Sequence, residues 1–472
     1  MSKFPKRGFI LVVGGGSGGV AAALAAARRE IPVVLVEPHA LGGNSTAAGV
    51  NTWEPAIGGP GFACEFFRSL LKYPDAVALS RTSKTWTQEE PWSRSIVYSD
   101  PDGDETGYYK SLRRSGVDHR DLVRVTFEPD QLSRVMEDAL AATGHVRLMR
   151  GWKFVSCVTA GRKITRVVVS DGKQNIELEP SMVIDSTAQI HLAASAGCKT
   201  ALGAESHDLY GEPSAPATTG EQINGVTLCF RVRKRDTDAV DALPPGITGD
   251  PYPSNYSITE YPNGDLNINT LPLMEGIEYR RMAPADARAE LESRLHRTWL
   301  WLQGEKGFGG YEIATVFPSV GVREGPRLVG RHVLTETEVR KGCSNQGNAE
   351  TWIGLADHAL DIHGKGSLCR ELDEPYGVPY HCLLPREFDN LAVACRGASF
   401  SHIAGSSCRL SRTMSDLGHA AGIAAALGMG AKGGFPDVGV PEIQKELARD
   451  NVSLDPDDKR FAARPEHARR IV

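Results

Sequence analysis

The sequence predicts an α/β fold built around a parallel sheet whose strands come from both ends of the chain. Near the start, the apolar runs FILVV at 9–13 and IPVVLVE at 31–37 flank the Ala-rich segment 18–29, which is the pattern of a strand–helix–strand unit. Late in the chain, NLAVAC at 390–395 returns to the buried pattern of a central strand. Over 205–270, Pro, Gly, Asn and Thr are frequent and the apolar runs are short, so we expect an inserted region that contains β-strands.

Local patterns predict the remaining elements. Residues 61–120 are irregular and rich in Ser, Trp, Tyr and Asp, which indicates loops and short helices. Helical spacing of apolar residues, strand-like alternation and small-residue runs identify the others. They are a helix at 129–143, a hairpin at 152–180 with its turn at Asp171 and Gly172, a buried strand at 181–188, a helix at 283–302 and a small-residue helix at 412–428.

The composition is that of an ordinary globular protein, with 41% hydrophobic and 24% charged residues. A net charge of −5 and a pI near 6.3 provide no basic surface for nucleic acid, and no polybasic run is present that would hold an anionic membrane. No apolar run reaches the roughly 18 residues of a membrane-spanning helix. We therefore expect neither nucleic acid nor a membrane as a partner.

The nine cysteines are scattered and include no C-x-x-C, which favours reduced thiols in a cytoplasmic protein and no metal site. His358 and His363 are five residues apart and do not share one helical face, so they do not form a metal-binding pair. The basic residues before the first apolar stretch superficially resemble a signal peptide. Gly and Ser interrupt that stretch at 14–19, and cleavage would remove the glycine-rich loop, so we reject a secretory leader.

A glycine-rich loop joins the first predicted strand to the first helix. Gly14, Gly16 and Gly19 form G-x-G-x-x-G directly after the strand, and Glu37 ends the next strand. The first glycine permits a tight turn, the second lets a pyrophosphate approach the backbone, and the third lets helix and strand pack closely. The helix N-terminus supplies N–H groups to the phosphates, and Glu37 would bind a ribose diol. This pattern predicts a dinucleotide site, to which the neighbouring residues Ser17, Gly18 and Pro38 belong.

Downstream motifs resemble those of FAD-dependent oxidoreductases. GGNSTAAGVN at 42–51 is similar to the second glycine pair of this family, and its GGNS opening is similar to the fumarate reductase and succinate dehydrogenase flavoproteins. IDSTAQ at 184–189, the Arg-rich stretch 322–339, PYHCLLP at 379–385 and the segment 390–425 resemble further family motifs in the same order. The resemblance touches both ends and the middle of the chain, but it specifies no substrate.

The resemblance implies FAD as the cofactor of a Rossmann-like domain that is split in the sequence. We predict a first part of the FAD-binding domain at 1–205, an inserted substrate domain at 206–377, a returning part at 378–430, and a C-terminal helix with a charged tail at 431–472. Cofactor contacts are further implied for Gly42, Gly43, Asn44, Ser45, Thr46, Thr187, Arg396 and Met414.

Departures from the family limit what the resemblance implies. Ala188 and Gln189 stand where the family has Gly-Asp, so no role of that acid is transferred. Asn44, Ser45 and Thr46 stand where covalently flavinylated relatives have a His, which implies non-covalent FAD. The cysteine pair of disulfide reductases, the closing G-D of aromatic hydroxylases and a second nucleotide loop are absent, so we expect a separate electron donor or acceptor.

Candidate catalytic residues are the polar ones in or beside the family-like motifs. Hydride transfer needs a proton donor or acceptor, and a cation to hold an anionic substrate. Arg409 directly precedes the closing helix, and His402 lies in a small-residue loop that can present it to a ligand. Arg323, Arg327 and His381 are further candidates. For each histidine the alternative is a hydrogen-bonded structural role.

The closing helix is expected to start near Thr413, with Asp416 at the spacing of a capping box. Its positive end would then point at the pyrimidine edge of the flavin and favour the reduced anion. The alternative is an ordinary packing helix.

The preferred reaction is hydride transfer between a small organic substrate and flavin N5, as in a dehydrogenase or oxidase. A C=C reductase similar to fumarate reductase is the alternative enzyme. A third interpretation, from another class, is a flavin-bearing binding or assembly subunit without turnover. Assembly into a homo-oligomer is left open.

Overall fold

The computed structural model describes residues 7–53, 61–81, 123–429, 433–456 and 458 of the 472-residue chain. The side chains of residues 79–81, 123 and 124 are outside this description. Within the predicted loop segment 61–120, residues 61–81 form a helix and a strand. Residues 82–120 lie outside the described residues.

The described strands and helices follow in chain order. The strands are β1 (Ile10–Val13), β2 (Val33–Glu37), β3 (Thr52–Trp53), β4 (Val77–Arg81), β5 (Val123–Phe127), β6 (Val146–Arg150), β7 (Lys153–Ala160), β8 (Lys163–Ser170), β9 (Asn175–Leu178), β10 (Met182–Asp185), β11 (Thr200–Ala201), β12 (Phe230–Lys234), β13 (Tyr256–Glu260), β14 (Leu266–Thr270), β15 (Tyr311–Val316), β16 (Arg327–Leu328), β17 (Trp352–Ala356), β18 (Leu360–Ile362), β19 (Leu368–Arg370), β20 (Tyr376–Pro379) and β21 (Leu391–Val393). The α-helices are α1 (Ser17–Ala27), α2 (Gly61–Leu70), α3 (Pro129–Ala142), α4 (His191–Ala196), α5 (His207–Tyr210), α6 (Gly276–Arg281), α7 (Pro284–Glu305), α8 (Glu336–Gln346), α9 (His402–Ser407), α10 (Ser411–Gly428) and α11 (Val440–Arg449).

The main sheet has five strands in the order β21-β10-β1-β2-β6, and every neighbouring pair is parallel. β1 from the start of the chain pairs with β10, and β10 pairs with β21 from near its end, with Val183 opposite Leu391. The predicted α/β class, with a parallel sheet fed from both ends of the chain, is therefore confirmed.

The prediction that residues 390–395 form a central strand is wrong, because β21 lies at the edge of the sheet. All three of its residues are nevertheless buried. An all-apolar run indicates that both faces of a strand are buried. It does not indicate whether one or both edges of the strand are hydrogen-bonded to neighbouring strands. Part of this edge is closed by β8, since the Asn390 side chain exchanges hydrogen bonds of 2.9 Å with the backbone N–H and C=O of Ile164.

Two helices rich in small residues, α1 and α10, pack tightly against each other. A Cβ on Gly418 would lie 2.0 Å from the carbonyl oxygen of Gly18, and a Cβ on Gly422 would lie 2.2 Å from that of Ala22. Such distances are far below van der Waals contact, so the crossing requires glycine at both positions of α10. The predicted small-residue helix at 412–428 is confirmed.

The capping box predicted at the start of α10 is not formed. The helix begins at Ser411 with Leu410 in extended conformation as the N-cap, and no side chain caps it. Thr413 and Asp416 lie inside the helix, and both are buried. The chain turns between α9 and α10, and this turn sets the residue at which α10 begins. The capping-box spacing depends on the local sequence alone and does not detect the turn.

The inserted region forms an antiparallel sheet in the order β13-β14-β12-β15 and carries α7, which confirms the helix predicted at 283–302. Side chains between Val226 and Tyr311 build a second hydrophobic core. Leu328 and Leu334, later in the chain, pack in the first core with the main sheet. The predicted boundaries at 206 and 377 stay predictions.

The remaining local predictions are also confirmed. Helix α3 covers the helix predicted at 129–143, and β8 and β9 form the hairpin, with Ser170 opposite Asn175. Asp171 accepts hydrogen bonds of 2.8 Å from the backbone N–H groups of Lys173 and Gln174, which closes the predicted turn.

In the described part of the chain, no helix combines the length and the apolar character that a membrane crossing requires. All nine cysteines fall within this part, and each is a free thiol.

Substituting Gly418 by Ala is expected to lower the free energy of unfolding by about 1 to 3 kcal/mol, because the new methyl group overlaps the α1 backbone. The matched control is Gly304→Ala in α7, where a Cβ meets nothing within 4 Å and the higher helix propensity of Ala favours the fold. Thermal unfolding followed by circular dichroism measures both variants. Equal melting temperatures for the two variants would contradict the proposed close crossing.

Candidate active site

The first glycine loop leads from β1 into α1. Gly14 has a φ of +99°, and a Cβ there would lie 2.3 Å from the carbonyl oxygen of Ser186. A Cβ on Gly19 would lie 1.8 Å from the carbonyl oxygen of Gly14. A Cβ on Gly16, by contrast, would meet nothing within 4 Å. The fold itself thus requires two of the three motif glycines, while Gly16 faces open space at the N-terminus of α1, where a pyrophosphate fits.

Glu37, at the end of β2, is tied to this loop. Its Oε2 accepts a 2.6 Å hydrogen bond from the backbone N–H of Gly15, and its Oε1 accepts one of 2.8 Å from that of His39. Each carboxylate oxygen can accept a further bond, so a ribose hydroxyl remains a suitable partner. Glu37 therefore supports the shape of the loop as well as facing the predicted ribose position.

The second glycine pair lies against the first loop. Gly42 has a φ of +101° and donates its backbone N–H to the carbonyl of Gly15 at 2.8 Å. A Cβ on Gly43 would come within 3.3 Å of the Gly16 Cα. The side chain of Asn44 then reaches the inserted region, where its Nδ2 donates to the carbonyl of Val322 at 3.1 Å.

A single cavity of about 1340 Å³ connects these loops with the inserted sheet. Its size exceeds the roughly 300 to 1,000 Å³ of sites for one drug-sized ligand, as expected for a cofactor together with a substrate. Gly19 and Thr46 are outside the lining, since Gly19 packs on the loop and Thr46 donates its hydroxyl to the carbonyl of Leu41. The other predicted cofactor residues line it: Gly14, Gly16, Ser17, Gly18, Glu37, Pro38, Gly42, Gly43, Asn44, Ser45, Thr187, Arg396 and Met414.

The N-terminal end of α10 also reaches the cavity, through Leu410, Ser411, Arg412 and Met414. The partial positive charge of the helix end is therefore on the cavity wall, as the sequence predicts despite the misplaced start. Farther along, burial raises the pKa of Asp416 to about 8, partly offset by the charge of Arg412.

Three arginines meet on the cavity wall: Arg323, Arg396 and Arg409. Burial, and then the neighbouring charge of Arg409, lowers the pKa of Arg323 to about 10. Burial and Arg409 also lower the pKa of Arg396, whose Nε has no hydrogen-bond partner among the described residues. Because the charge of Arg409 disfavours the charged forms of Arg323 and Arg396, this part of the wall has excess positive charge, which a bound anion would relieve.

Asp361 and His363 form a carboxylate–imidazole pair on the same wall. His363 Nε2 lies 2.8 Å from Asp361 Oδ2, which also accepts a 2.8 Å hydrogen bond from Arg409. Burial opposes ionisation of Asp361, but the hydrogen bond from His363 and the charge of Arg409 outweigh it and hold the pKa of this carboxyl below its usual range. Asp361 is thus anionic, orients His363 and steadies Arg409.

His358 lines the cavity as well, with Nδ1 at 2.8 Å from the carbonyl oxygen of Ala359. It flanks β18 on one side and His363 flanks it on the other. The described residues contain no group of three or more His, Cys, Asp or Glu side chains placed to hold a metal ion.

His402 lies behind the cavity. It is buried and does not line the cavity, its Nδ1 is 2.9 Å from Glu324 Oε1, and its backbone N–H donates to Glu205. Arg327 is also buried and pairs with both of these glutamates. Although burial opposes ionisation, His402 and Arg327 together hold the pKa of Glu324 below its usual range. The structure therefore places His402 and Arg327 in a buried ion-pair network.

His381 is half-buried and likewise lies outside the lining. Burial, followed by the nearby charges of Arg331 and His332, lowers its pKa. Of the five predicted catalytic candidates, the structure brings Arg323 and Arg409 together on the wall and leaves Arg327, His402 and His381 outside the lining.

The sequence contained a signal for the pair that was overlooked. Asp361 and His363 are two residues apart in the strand-like run HALDIHG, so their side chains share one face of an extended segment. The helical spacing rule that argues against a metal pair at His358 and His363 does not detect this extended arrangement.

The fold and the site together define a flavoprotein of the dinucleotide-binding α/β class. The chain belongs to the FAD dependent oxidoreductase family, whose model matches residues 10–447. It is therefore an FAD-dependent enzyme, and the phosphate cradle at Gly16 is suited to that cofactor.

Solved structures resemble the chain distantly. A geranylgeranyl bacteriochlorophyll reductase-like protein from Thermoplasma acidophilum is 13% identical, with 94% of this chain and 83% of that chain covered and a TM-score of 0.46. L-Amino acid deaminase from Proteus myxofaciens is 11% identical, with 90% of each chain covered and a TM-score of 0.40. The p-nitrophenol 4-monooxygenase PnpA from Pseudomonas putida DLL-E4 is 13% identical, with 69% of each chain covered and a TM-score of 0.39. No curated protein sequence matches the chain.

Substituting Gly16 by Val is expected to abolish FAD binding while leaving the polypeptide folded, because the side chain fills the open space of the phosphate cradle. FAD is measured per polypeptide after acid precipitation, which is expected to release all flavin of the wild-type protein into the supernatant because attachment is non-covalent.

Two comparisons make this result interpretable. The Gly16→Val variant should melt like wild-type protein stripped of FAD, whereas Gly19→Val should misfold, since its Cβ meets the backbone. A fully loaded Gly16→Val variant would place the cradle elsewhere, and flavin that stays with the precipitate would refute non-covalent attachment.

Proposed function

We propose that this FAD-dependent enzyme oxidises a small anionic organic substrate by hydride transfer, as a dehydrogenase or oxidase. The observation that carries the proposal is the joint placement of Arg323, Arg396 and Arg409 with the Asp361–His363 pair on one wall of the cavity. FAD, when bound, supplies the acceptor for the hydride. The residues of the chain must hold the substrate and move its proton.

Arg409 and Arg323 are the groups we assign to the substrate anion. Arg409 is anchored by the carbonyl of Ser406 at 2.9 Å and by Asp361, and Arg323 by the carbonyl of Gly225 at 3.0 Å. Anchored guanidinium groups are preorganised for a carboxylate, because little side-chain freedom is lost on binding. An anion at this position would also offset the repulsion between the arginines.

His363 is the group we assign to proton transfer. Asp361 accepts the hydrogen bond from His363 Nε2, which fixes the tautomer with its proton on that atom and leaves Nδ1 as the base. Nδ1 would remove the hydroxyl or amino proton of the substrate as the hydride departs. This assignment replaces His402, whose Nδ1 is engaged by Glu324 outside the cavity lining.

Reduction of an activated C=C bond uses the same groups in the opposite direction, with the arginines on the carboxylate and His363 donating the proton. The GGNS motif is the feature that favours this alternative. We propose a separate electron donor or acceptor, because the G-x-G-x-x-G at 14–19 follows a strand, whereas the second match, GMGAKG at 428–433, begins at the last residue of helix α10 and lacks the context of a nucleotide-binding loop. The free cysteines support a cytoplasmic location.

An anaerobic screen of the holoenzyme with hydroxy acids, amino acids, amines and unsaturated acids tests the proposal. A saturated hydroxy or amino acid that bleaches the visible flavin band supports oxidation. Re-oxidation of chemically reduced enzyme by an unsaturated acid alone supports the reductase. If no member of the screen changes the spectrum in either direction, the subunit without turnover is favoured.

Arg409→Lys is expected to slow flavin reduction roughly 100-fold, since a lysine keeps the charge but misplaces the substrate by losing the two-pronged contact. FAD content and melting temperature should stay those of the wild type. Arg386→Lys is the control, because Arg386 is exposed and donates to the carbonyl of Gly330, outside the lining. Stopped-flow absorbance provides the rates, and equal rates in both variants would remove Arg409 from the site.

His363→Asn is expected to lower the rate of flavin reduction by roughly 100- to 10,000-fold and to remove one ionisation from its pH profile. The matched variant is His402→Asn, which disrupts an equally close histidine–carboxylate contact away from the cavity. It should lower the melting temperature and leave the pH profile unchanged. The reverse pattern would return the proton-transfer role to His402.

A further inference from the structure

Four polar side chains form a compact array on the inserted sheet. Ser257 and Thr259 lie two apart on β13, Asn267 and Asn269 lie two apart on β14, and the register places Ser257 opposite Asn269 and Thr259 opposite Asn267. Alternate residues of a strand share one face, and directly opposed residues are neighbours across it. All four line the cavity. We call this array the polar face.

Half of the array is buried, and Ser257 and Asn269 are partly exposed. Thr259 is 5% exposed and Asn267 is 2% exposed. The intervening Ile258 and Ile268 belong to the second hydrophobic core on the other side of the sheet. Since polar groups cost free energy when they are covered without partners, a hydrophilic sheet face that lines the cavity favours a ligand that forms hydrogen bonds with it.

Asn269 is fixed in one orientation by its neighbours. Its Oδ1 accepts hydrogen bonds from the Thr227 hydroxyl at 2.9 Å and from Arg323 Nη2 at 3.4 Å. A guanidinium can only donate, so the atom facing Arg323 is the amide oxygen. The Nδ2 amino group of Asn269 has no partner among the described residues and is left as a donor for a ligand.

Asn267 and Thr259 are held by residues behind the array. Its Nδ2 donates to the carbonyl of Gly49 at 2.8 Å and to Asn51 Oδ1 at 3.0 Å. Thr259 donates to the same Asn51 oxygen at 2.7 Å. Asn267 Oδ1 and Asn51 Nδ2 remain without hydrogen-bond partners within the described structure, but both atoms are buried and are not accessible from the cavity. Ser257, in contrast, is half-buried and lines the cavity, and its hydroxyl has no partner among the described residues.

The cavity wall therefore offers an unused donor, Asn269 Nδ2, and beside it an unused hydroxyl, that of Ser257, which can donate or accept. A hydroxyl group is the ligand group that pairs with both, since it donates and accepts. We propose that the polar face binds substrate hydroxyl groups and that the substrate is a polyhydroxylated carboxylic acid of the sugar-acid class. The carboxylate part of this proposal rests on the proposed function. Arg323 connects the two parts, because it lies on the cationic wall and contacts Asn269.

An aromatic or long-chain acid would not fit this wall. It would cover Ser257 and Asn269 with apolar surface and leave the Ser257 hydroxyl and the Asn269 amino group unpaired. A site built for hydroxyl groups imposes this cost on analogues that lack them. We therefore predict that the site distinguishes acids that have the same number of carbon atoms but different numbers of hydroxyl groups.

The test measures binding to the oxidised holoenzyme by calorimetry and by the shift in melting temperature, under anaerobic conditions. The probes are D-gluconate and L-threonate, each against the deoxy acid of the same carbon count, hexanoate and butanoate, with neutral D-glucitol as a fifth ligand. The variants are Asn269→Leu and, as the control, Thr315→Val. Thr315 is exposed and lies outside the lining, on the same face of the same sheet, two strands from Asn269.

We expect the hydroxylated acids to bind the wild type about tenfold or more tightly than their deoxy partners, and Asn269→Leu to remove this preference without changing hexanoate or FAD affinity. Thr315→Val should match the wild type. Equal binding of deoxy and hydroxylated acids overturns the proposal, as does failure of every probe to bind. A tenfold loss of FAD affinity in Asn269→Leu also overturns it, because the polar face would then serve the cofactor.

The outcome with D-glucitol separates this proposal from the one on which it rests. If D-glucitol binds as tightly as D-gluconate and Asn269→Leu weakens both, the polar face binds hydroxyl groups as proposed, but the arginines do not hold a carboxylate. If deoxy and hydroxylated acids bind equally well and D-glucitol does not bind, the acids bind through their carboxylates alone. The proposed function is then supported, and the proposed role of the polar face is refuted.

Discussion

The structure depends on the close crossing of α1 and α10. Where these helices meet, Gly418 and Gly422 leave room for the backbone carbonyls of Gly18 and Ala22. The same crossing brings α10 to the glycine loop, since a Cβ on Gly18 would lie 3.1 Å from the carbonyl oxygen of Met414. One steric requirement thus fixes two helix N-termini on a common cavity, although they come from opposite ends of the sequence.

Most of the fold could be predicted from the sequence because its signals are local. The buried strands, the Ala-rich helix and the hairpin turn at Asp171 each depend on residues within a short window. The edge position of β21 could not be predicted. Its apolar residues reflect the helices that bury its two faces, whereas the number of strands that pair with it depends on the topology of the sheet. The misplaced start of α10 has the same origin, since Thr413 and Asp416 fit a capping pattern but are buried by tertiary packing.

The candidate site was predictable only in its cofactor half. The glycine loops form by backbone geometry that the sequence specifies directly, whereas the substrate half is assembled from segments far apart in the chain. His402 and His363 are both plausible from motifs alone, and they are distinguished by which neighbour each one meets: Glu324 in the buried network, or Asp361 on the cavity wall. The run LNINT at 266–270 shows the alternation of apolar and polar residues that is typical of a strand. The sequence does not show which surface its polar side chains face.

The division of the main sheet between the two ends of the chain has a consequence for biosynthesis. Ser186 and Ala394 are joined by a hydrogen bond across 208 residues, and β21 pairs with β10 over a similar separation. Such non-local pairing is slow to form, and a ribosome must complete nearly the whole chain before it can occur. The cavity gains Arg396, Arg409 and Met414 from the same late part of the chain, so its wall cannot be complete before β21 and α10 have been synthesised.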